Sequence, residues 1–171
     1  MAADGEPVGR VRTKPKGLDK PSTVKVIKAM SAANTWLYRR TGGRVGRTWR
    51  IGSALRKGVP ICLLTTTGRT SGQPRTVPLC YLAEDDRVVL VASQGGLPDD
   101  PQWYKNLVAD PHVELQIGAR RRRMTARAAD EAERSELWPR LLDLYADYAT
   151  YQEWTDRIIP VVICEPAANS T

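Results

Sequence analysis

The pattern of apolar and polar positions switches between two periods along this chain. Residues 59–66, VPICLLTT, form a continuous apolar and β-branched run, the composition of a buried strand. Gly68, Ser71, Gly72 and Pro74 then crowd together as turn residues, and a second strand follows, interrupted by Pro78. A proline inside a strand predicts an edge position or a bulge. Glu84-Asp85-Asp86 is a turn, Arg87–Ser93 a third strand, and Gln94-Gly95-Gly96 its end. Pro101 suits the first turn of a short helix over 101–109. His112–Ile117 and Arg120–Ala128 read as neighbouring strands, and Ile158–Cys164 as the last, with Pro160 again hinting at an edge.

Helical spacing governs two other segments. Val26, Met30, Ala33 and Leu37 predict a helix capped by Ser22 and running to about Arg40, with residues 41–58 as a Gly- and Arg-rich connector. Asp130 with Glu133 resembles a capping box that opens a helix to about Tyr148, which Pro139 should kink or divide. Six strands joined mostly antiparallel, with helices around them, predict an α+β, mainly β fold: a small antiparallel barrel with peripheral helices. Residues 1–20 read as a disordered basic tail and 21–171 as a single domain.

Charge divides the chain unevenly. The net charge is +7, and from Lys20 to Ala83 there are twelve basic residues and no acid. Such a half suggests a polyanionic partner: nucleic acid, anionic lipid, or a ligand with several phosphate and carboxylate groups. The basic first helix, with Trp36 and Leu37 on it, admits contact with an anionic membrane surface. No apolar run reaches the ~18–20 residues of a membrane span, and a cytoplasmic location, at most peripheral to the membrane, is expected. Cys62, Cys80 and Cys164 form no C-x-x-C pair and read as free thiols, and His112 is the single histidine. A metal site or a histidine triad has little to recruit, so no metal is expected.

Two groups of residues carry candidate chemistry. In the loop after the first strand, Arg69 and Arg75 flank glycines and the hydroxyls of Thr66, Thr67, Thr70 and Ser71. Glycines allow close backbone approach, and arginines and hydroxyls supply donors, so the loop could hold an anion such as a phosphate. It could equally be an ordinary hairpin with solvated arginines. It lacks the Gly-Lys-Ser/Thr ending of a Walker loop, and G-x-G-x-x-G is absent. The second group is Tyr145, Tyr148, Tyr151 and Trp154, every third residue, which on a helix form one aromatic stripe, either core or the wall of a ligand pocket.

Three blocks together resemble the deazaflavin-dependent nitroreductase family of actinobacteria: LLTTTGRTSGQPRTVPL at 63–79, VASQGGLPDDPQWYKNLVADPHVELQ at 91–116, and LYADYATYQEWTDRIIPVVICEP at 144–166. The resemblance implies a six-stranded split β-barrel of the flavin-reductase type that binds coenzyme F420, a deazaflavin with a phosphate and a polyglutamate tail. By that likeness Thr67, Gly68, Arg69, Thr70, Ser71, Arg75, Thr76, Val77 and Pro78 would face the cofactor, Arg69 and Arg75 with the backbone and hydroxyls of Thr70 and Ser71 holding its phosphate and tail. Val91, Ala92, Ser93, Gln94, Trp103, Tyr104 and Asn106 would lie along the deazaflavin and its side chain. Ser93, Tyr145, Tyr148 and Tyr151 would form the catalytic pocket. The implied reaction is hydride transfer from reduced F420 to a conjugated acceptor such as a quinone, an enone or a nitro compound. Thr70 and Gln94 stand where the family often has lysine, and Cys80 where its best-known member has a substrate-side tyrosine. An FMN-dependent split-barrel reductase and a non-enzymatic module for nucleic acid or membrane are the alternatives, nucleic acid being disfavoured by the acidic tyrosine-bearing segment. A homodimer is left open.

Overall fold

A computed structural model describes residues 33–167; the tail expected over 1–20 and the start of the first predicted helix lie outside them. Helix α1 covers 33–41, followed by β1 (Thr48–Trp49), a short 3-10 turn at Gly52–Ala54, β2 (Val59–Thr67), β3 (Pro74–Glu84) and β4 (Arg87–Val91). Then come α2 (Gln102–Ala109), β5 (His112–Ile117), β6 (Arg120–Ala128), α3 (Glu131–Leu144), α4 (Asp147–Glu153) and β7 (Val161–Pro166). Strands β2, β3, β4, β7, β6 and β5 pair in that order, all antiparallel, and β5 returns to β2 to close a six-stranded barrel. The expected barrel is therefore present, with β1 as an extra strand paired to the start of β2.

Alternate residues fill the inside of the barrel: Cys62 and Leu64, Val88 and Leu90, Val113 and Leu115, Met124 and Ala126, Val162 and Cys164. Helix α2 adds Trp103 and Leu107 to this interior. The other face of β4 and β7, with Val89, Val91, Val161 and Ile163, lies under Leu137 and Leu141 of α3. On β2, Ile61 and Leu63 are covered by Tyr38 of α1. Both faces of β2 are thus buried, which is why its sequence is a continuous apolar run without alternation. Tyr38 fixes α1 in place, its hydroxyl donating to the Ile61 carbonyl at 3.0 Å and accepting from the Gly118 N–H at 2.9 Å.

Strand β3 serves two neighbours. Pro74–Cys80 pairs with β2 and Tyr81–Glu84 with β4, so Pro78 sits where one side of the strand has no ladder to feed, as its missing N–H requires. Pro160 does not mark an edge. Strand β7 begins at Val161 and lies between β4 and β6, paired to both. Ile158 is 73 % exposed and precedes the strand, so apolar composition made the predicted element too long.

The capping box forms as expected, Asp130 Oδ1 accepting from the Glu133 N–H at 2.8 Å and Glu133 Oε2 from the Asp130 N–H at 2.9 Å. Pro139 does not divide the helix, which continues from Glu131 to Leu144 with Leu137 and Leu141 buried on either side of it. The break falls later. Tyr145 is extended, with φ −150° and ψ 93°, and a separate helix starts at Asp147. The tyrosines do not share one helix.

Candidate functional site

Across the break after α3 the three tyrosines still meet. Tyr145 and Tyr148 meet edge to face at 5.1 Å between ring centres, and Tyr151 lies 6.1 Å and 6.4 Å from them. The Tyr145 and Tyr151 hydroxyls are hydrogen-bonded at 3.1 Å. With Ser93 and Val91 from the end of β4, Leu79 and Cys80 from β3, and Trp49 and Ile51, they line a cavity of about 180 Å³. All four candidate catalytic residues, Ser93, Tyr145, Tyr148 and Tyr151, therefore border one space. It is smaller than the roughly 300–1,000 Å³ of a drug-sized ligand site, room for one small flat acceptor.

Burial sets the chemistry of this wall. It holds the Tyr148 phenol far above its ordinary range, with the Cys80 thiol hydrogen-bonded to its hydroxyl. The Cys80 thiol is itself pushed up to about 11. Burial also raises Tyr145, helped by Tyr151 and by a hydrogen bond to Asp147. All three groups stay protonated at neutral pH, so the wall is uncharged and rich in hydroxyls.

Opposite the chemistry of the wall is the hairpin between β2 and β3. Arg69 is tied to α2: its N–H and its Nη1 both donate to Asn106 Oδ1, at 3.2 Å and 3.1 Å, and Nη1 also to Gln102 Oε1 at 2.9 Å. Asn106 in turn donates to the buried Thr66 hydroxyl at 3.2 Å. Arg75 Nη2 reaches Ser71 Oγ at 3.4 Å. The backbone N–H groups of Gly68, Arg69, Ser71, Gly72 and Gln73 are engaged inside the hairpin or by Asn106. The donors that face an anion are consequently guanidinium and hydroxyl groups, with much less from the backbone than the glycines suggest. Two arginines with the hydroxyls of Thr70 and Ser71 fit a phosphate and a carboxylate tail.

The remaining candidates fall in three places. Thr76 is bonded to Thr65 at 2.8 Å and to Arg39 of α1 at 2.6 Å. Val77 and Tyr104 pack against the barrel interior, and Ala92 and Trp103 are buried within it. Thr70 and Gln94 are exposed, and Thr67, the last residue of β2, is half-buried. Along β3, Arg75 and Leu79 are four residues apart, roughly 13 Å at about 3.3 Å per residue. A ligand with a ring beside the cavity and an anionic end at the hairpin would span about that distance.

Three residues of the site escape sequence reading. Trp49 and Ile51 come from the connector. Arg157 is largely buried, donating to the carbonyls of Ala92, Ser93 and Leu97 at 3.0 Å each and to Asp100 Oδ1 at 2.8 Å. It fixes the turn that carries Ser93. That turn needs Gly96: a Cβ there, at φ +72°, would lie 2.8 Å from the Tyr151 carbonyl. A larger open groove of about 970 Å³ runs from Thr67 and Pro74 past His112 to Arg122 and Arg123. It contains none of the tyrosines and carries charges of both signs, so the smaller cavity is the better candidate for chemistry. Among the described residues no cluster of His, Cys, Asp and Glu could hold a metal ion, and no helix is long and apolar enough to cross a membrane.

The class these features define is a closed antiparallel barrel with an arginine hairpin suited to an anion and a separate uncharged, hydroxyl-lined cavity suited to a small flat ligand. The sequence profile of F420H(2)-dependent quinone reductase matches residues 30–166. F420H(2)-dependent quinone reductase Rv1261c of Mycobacterium tuberculosis is 41 % identical over 130 residues, 74 % of this chain and 83 % of that protein. Rv3178 of the same organism, provisionally given the same name, is 44 % identical over 117 residues, 68 % of this chain and 98 % of that one. Among solved structures, the F420-H2 dependent reductase FDR-A aligns with a TM-score of 0.58 at 45 % identity, over 62 % of this chain and 94 % of that one. Another, described as a domain-swapped dimer, gives 0.60 at 35 % identity over 84 % and 99 %. The chain belongs to the F420H(2)-dependent quinone reductase family.

Proposed function

We propose that this protein reduces a quinone or a similar conjugated acceptor held in the cavity of Ser93, Tyr145, Tyr148 and Tyr151. Reduced F420, when bound, supplies the hydride. The meeting of those four residues, from the end of β4, the end of α3 and α4, in one uncharged cavity on the same strand system as the arginine hairpin carries this reading. Arg69 and Arg75 hold the anionic end of the cofactor. The tyrosine rings orient a flat acceptor and exclude water. Negative charge grows on the acceptor oxygen as hydride arrives, and the Ser93 and Tyr151 hydroxyls stabilise it. Tyr151 shares a hydrogen bond with Tyr145, and its hydroxyl turns from Tyr145 towards the acceptor oxygen to give up its proton.

Parallel fluorescence titrations with F420 and FMN, followed by quinone reduction with the tighter binder, test the reading. Tight F420 binding and F420-dependent turnover are expected; retention of FMN with no response to F420 would sink it. Enones and nitro compounds are acceptors of the same kind and belong in the assay.

Two finer features belong to the same proposal. Helix α1 exposes Trp36 and Leu37 beside Arg39 and Arg40, and the loop at the cavity mouth exposes Ile51 and Leu55 beside Arg50, Arg56 and Lys57. Combined apolar and basic signals suit an anionic membrane surface, where quinones reside. Cosedimentation with anionic but not neutral vesicles is expected; equal recovery from both removes the electrostatic part. A homodimer, in keeping with the domain-swapped relative, is tested by light scattering of the purified chain.

A further inference from the structure

The connector after β1 is tied to the tyrosine wall by one carboxylate. Asp147 Oδ2 accepts from the Ser53 N–H at 3.0 Å, and the Asp147 N–H donates back to Ser53 Oγ at 3.3 Å, across 94 positions of sequence. Asp147 also meets the Tyr145 hydroxyl in a hydrogen bond. Gly52 passes so close that a Cβ on it would lie 1.9 Å from Asp147 Oδ2 and 2.9 Å from the Tyr145 hydroxyl. Its φ of +53° is a second reason for glycine there. The two segments held together both line one cavity: Ile51 with Trp49 at the end of β1, and Tyr145 with Tyr151. The other hydrogen bonds of the loop among the described residues are internal, from Arg50 to the Arg56 carbonyl and from the Ala54 and Gly58 N–H groups to the Ile51 and Ala54 carbonyls. Ala54 alone of its residues from 50 to 57 is buried.

We propose that Asp147 is a positioning residue for acceptor binding: its carboxylate clasps the 50–57 loop against the end of α3 and thereby sets the width of the cavity. The inference rests on the proposed reading of that cavity as the acceptor site. A carboxylate suits the task because its charge strengthens the hydrogen bonds it accepts from both the Ser53 N–H and the Tyr145 hydroxyl, which a neutral amide cannot match. Among the described residues Asp147 is hydrogen-bonded to Ser53 of the loop and Tyr145 of the helical wall, and Arg50, Arg56 and Lys57 are exposed on the loop itself.

Two variants weaken the clasp from opposite sides: Asp147→Asn removes its charge and replaces one carboxylate oxygen with a donor, and Gly52→Ala drives a methyl group into it. Both are expected to raise KM for a quinone about tenfold while F420 affinity, read by fluorescence titration, stays as in the parent. The double variant should be no worse than either single one, since both remove the same contact. A purely structural clasp would leave KM unmoved. Wild-type KM in Asp147→Asn, or multiplied effects in the double variant, would overturn the proposal. A second readout uses the protein alone: Arg56 and Lys57 are tryptic sites, and cleavage there, followed by mass spectrometry, should be several-fold faster in both variants. Unchanged cleavage also overturns the proposal. Should the parent protein neither bind F420 nor reduce a quinone, the functional reading falls while the cleavage experiment still decides the clasp.

Discussion

Arg69 shows how a surface cation acquires direction. Its guanidinium is bonded to Gln102 and Asn106 through Nη1, which fixes the side chain and leaves its other donors for an anion. Replacing Arg69 or Arg75 with Ala should weaken F420 binding by about 1–3 kcal/mol, the range for charge-assisted contacts, and binding should weaken as salt rises. Titrations of both variants over a salt series check this; affinities equal to the parent would remove the hairpin from the site. The tyrosines are not equivalent. The Tyr148 hydroxyl is buried against Cys80, whereas that of Tyr151 is bonded to Tyr145 at the cavity. Tyr151→Phe is therefore expected to lower kcat for a quinone by roughly tenfold with F420 affinity unchanged, and Tyr148→Phe to change kcat less. Steady-state kinetics beside thermal melts decide the order. Sequence spacing could gather these tyrosines but not rank them, because rank depends on which hydroxyl a distant thiol covers.

At the scale of elements, the capping box and the break after α3 behave oppositely as signals. Asp130 and Glu133 act within one turn, so their pattern was legible in sequence. Arg127 grips Glu133 with two hydrogen bonds of 2.7 Å and holds its carboxyl down at about 2. A carboxyl whose folded pKa is depressed contributes stability above its unfolded value, about 4.3, that is lost as pH falls towards 2. Glu133→Gln should melt below the parent at pH 7, with the gap closing over that acidic window. A gap independent of pH would show that the charge of Glu133 is not what stabilises the cap. The break at Tyr145 was illegible. Leu141, Tyr145, Tyr148 and Tyr151 keep helical spacing straight through it, and the bend is tied to Ser53, far away in sequence. Strand β1 was missed for another reason: two residues carry no period.

For the molecule as a whole, six of the seven strands were readable, most because they are apolar, β-branched or alternating runs bounded by turn residues, and the arginine-rich β6 because it follows β5 across a short turn. Closure of the barrel rests on the seam between β2 and β5, where Leu63, Leu64 and Thr65 face Gln116, Leu115 and Glu114. Leu115 is buried inside that seam, so Leu115→Ala should cost about 2–5 kcal/mol in denaturant unfolding. A loss below 1 kcal/mol would mean the seam adds little to the core. What sequence could not show was how the loops at one end of the barrel are joined. Arg157 saturates carbonyls sixty positions away, and no local pattern records which carbonyls lack partners.

Cys80 borders the cavity in which a quinone is proposed to sit, and quinones are thiol-reactive electrophiles that alkylate a cysteine through its thiolate. With burial holding the thiol at about 11, only roughly one molecule in ten thousand carries the reactive sulfur anion at pH 7. Cys62 and Cys164, deeper in the barrel, are pushed up as well, the latter to about 12. An enzyme that handles an arylating compound beside its own sulfur is in this way shielded from being consumed by its substrate.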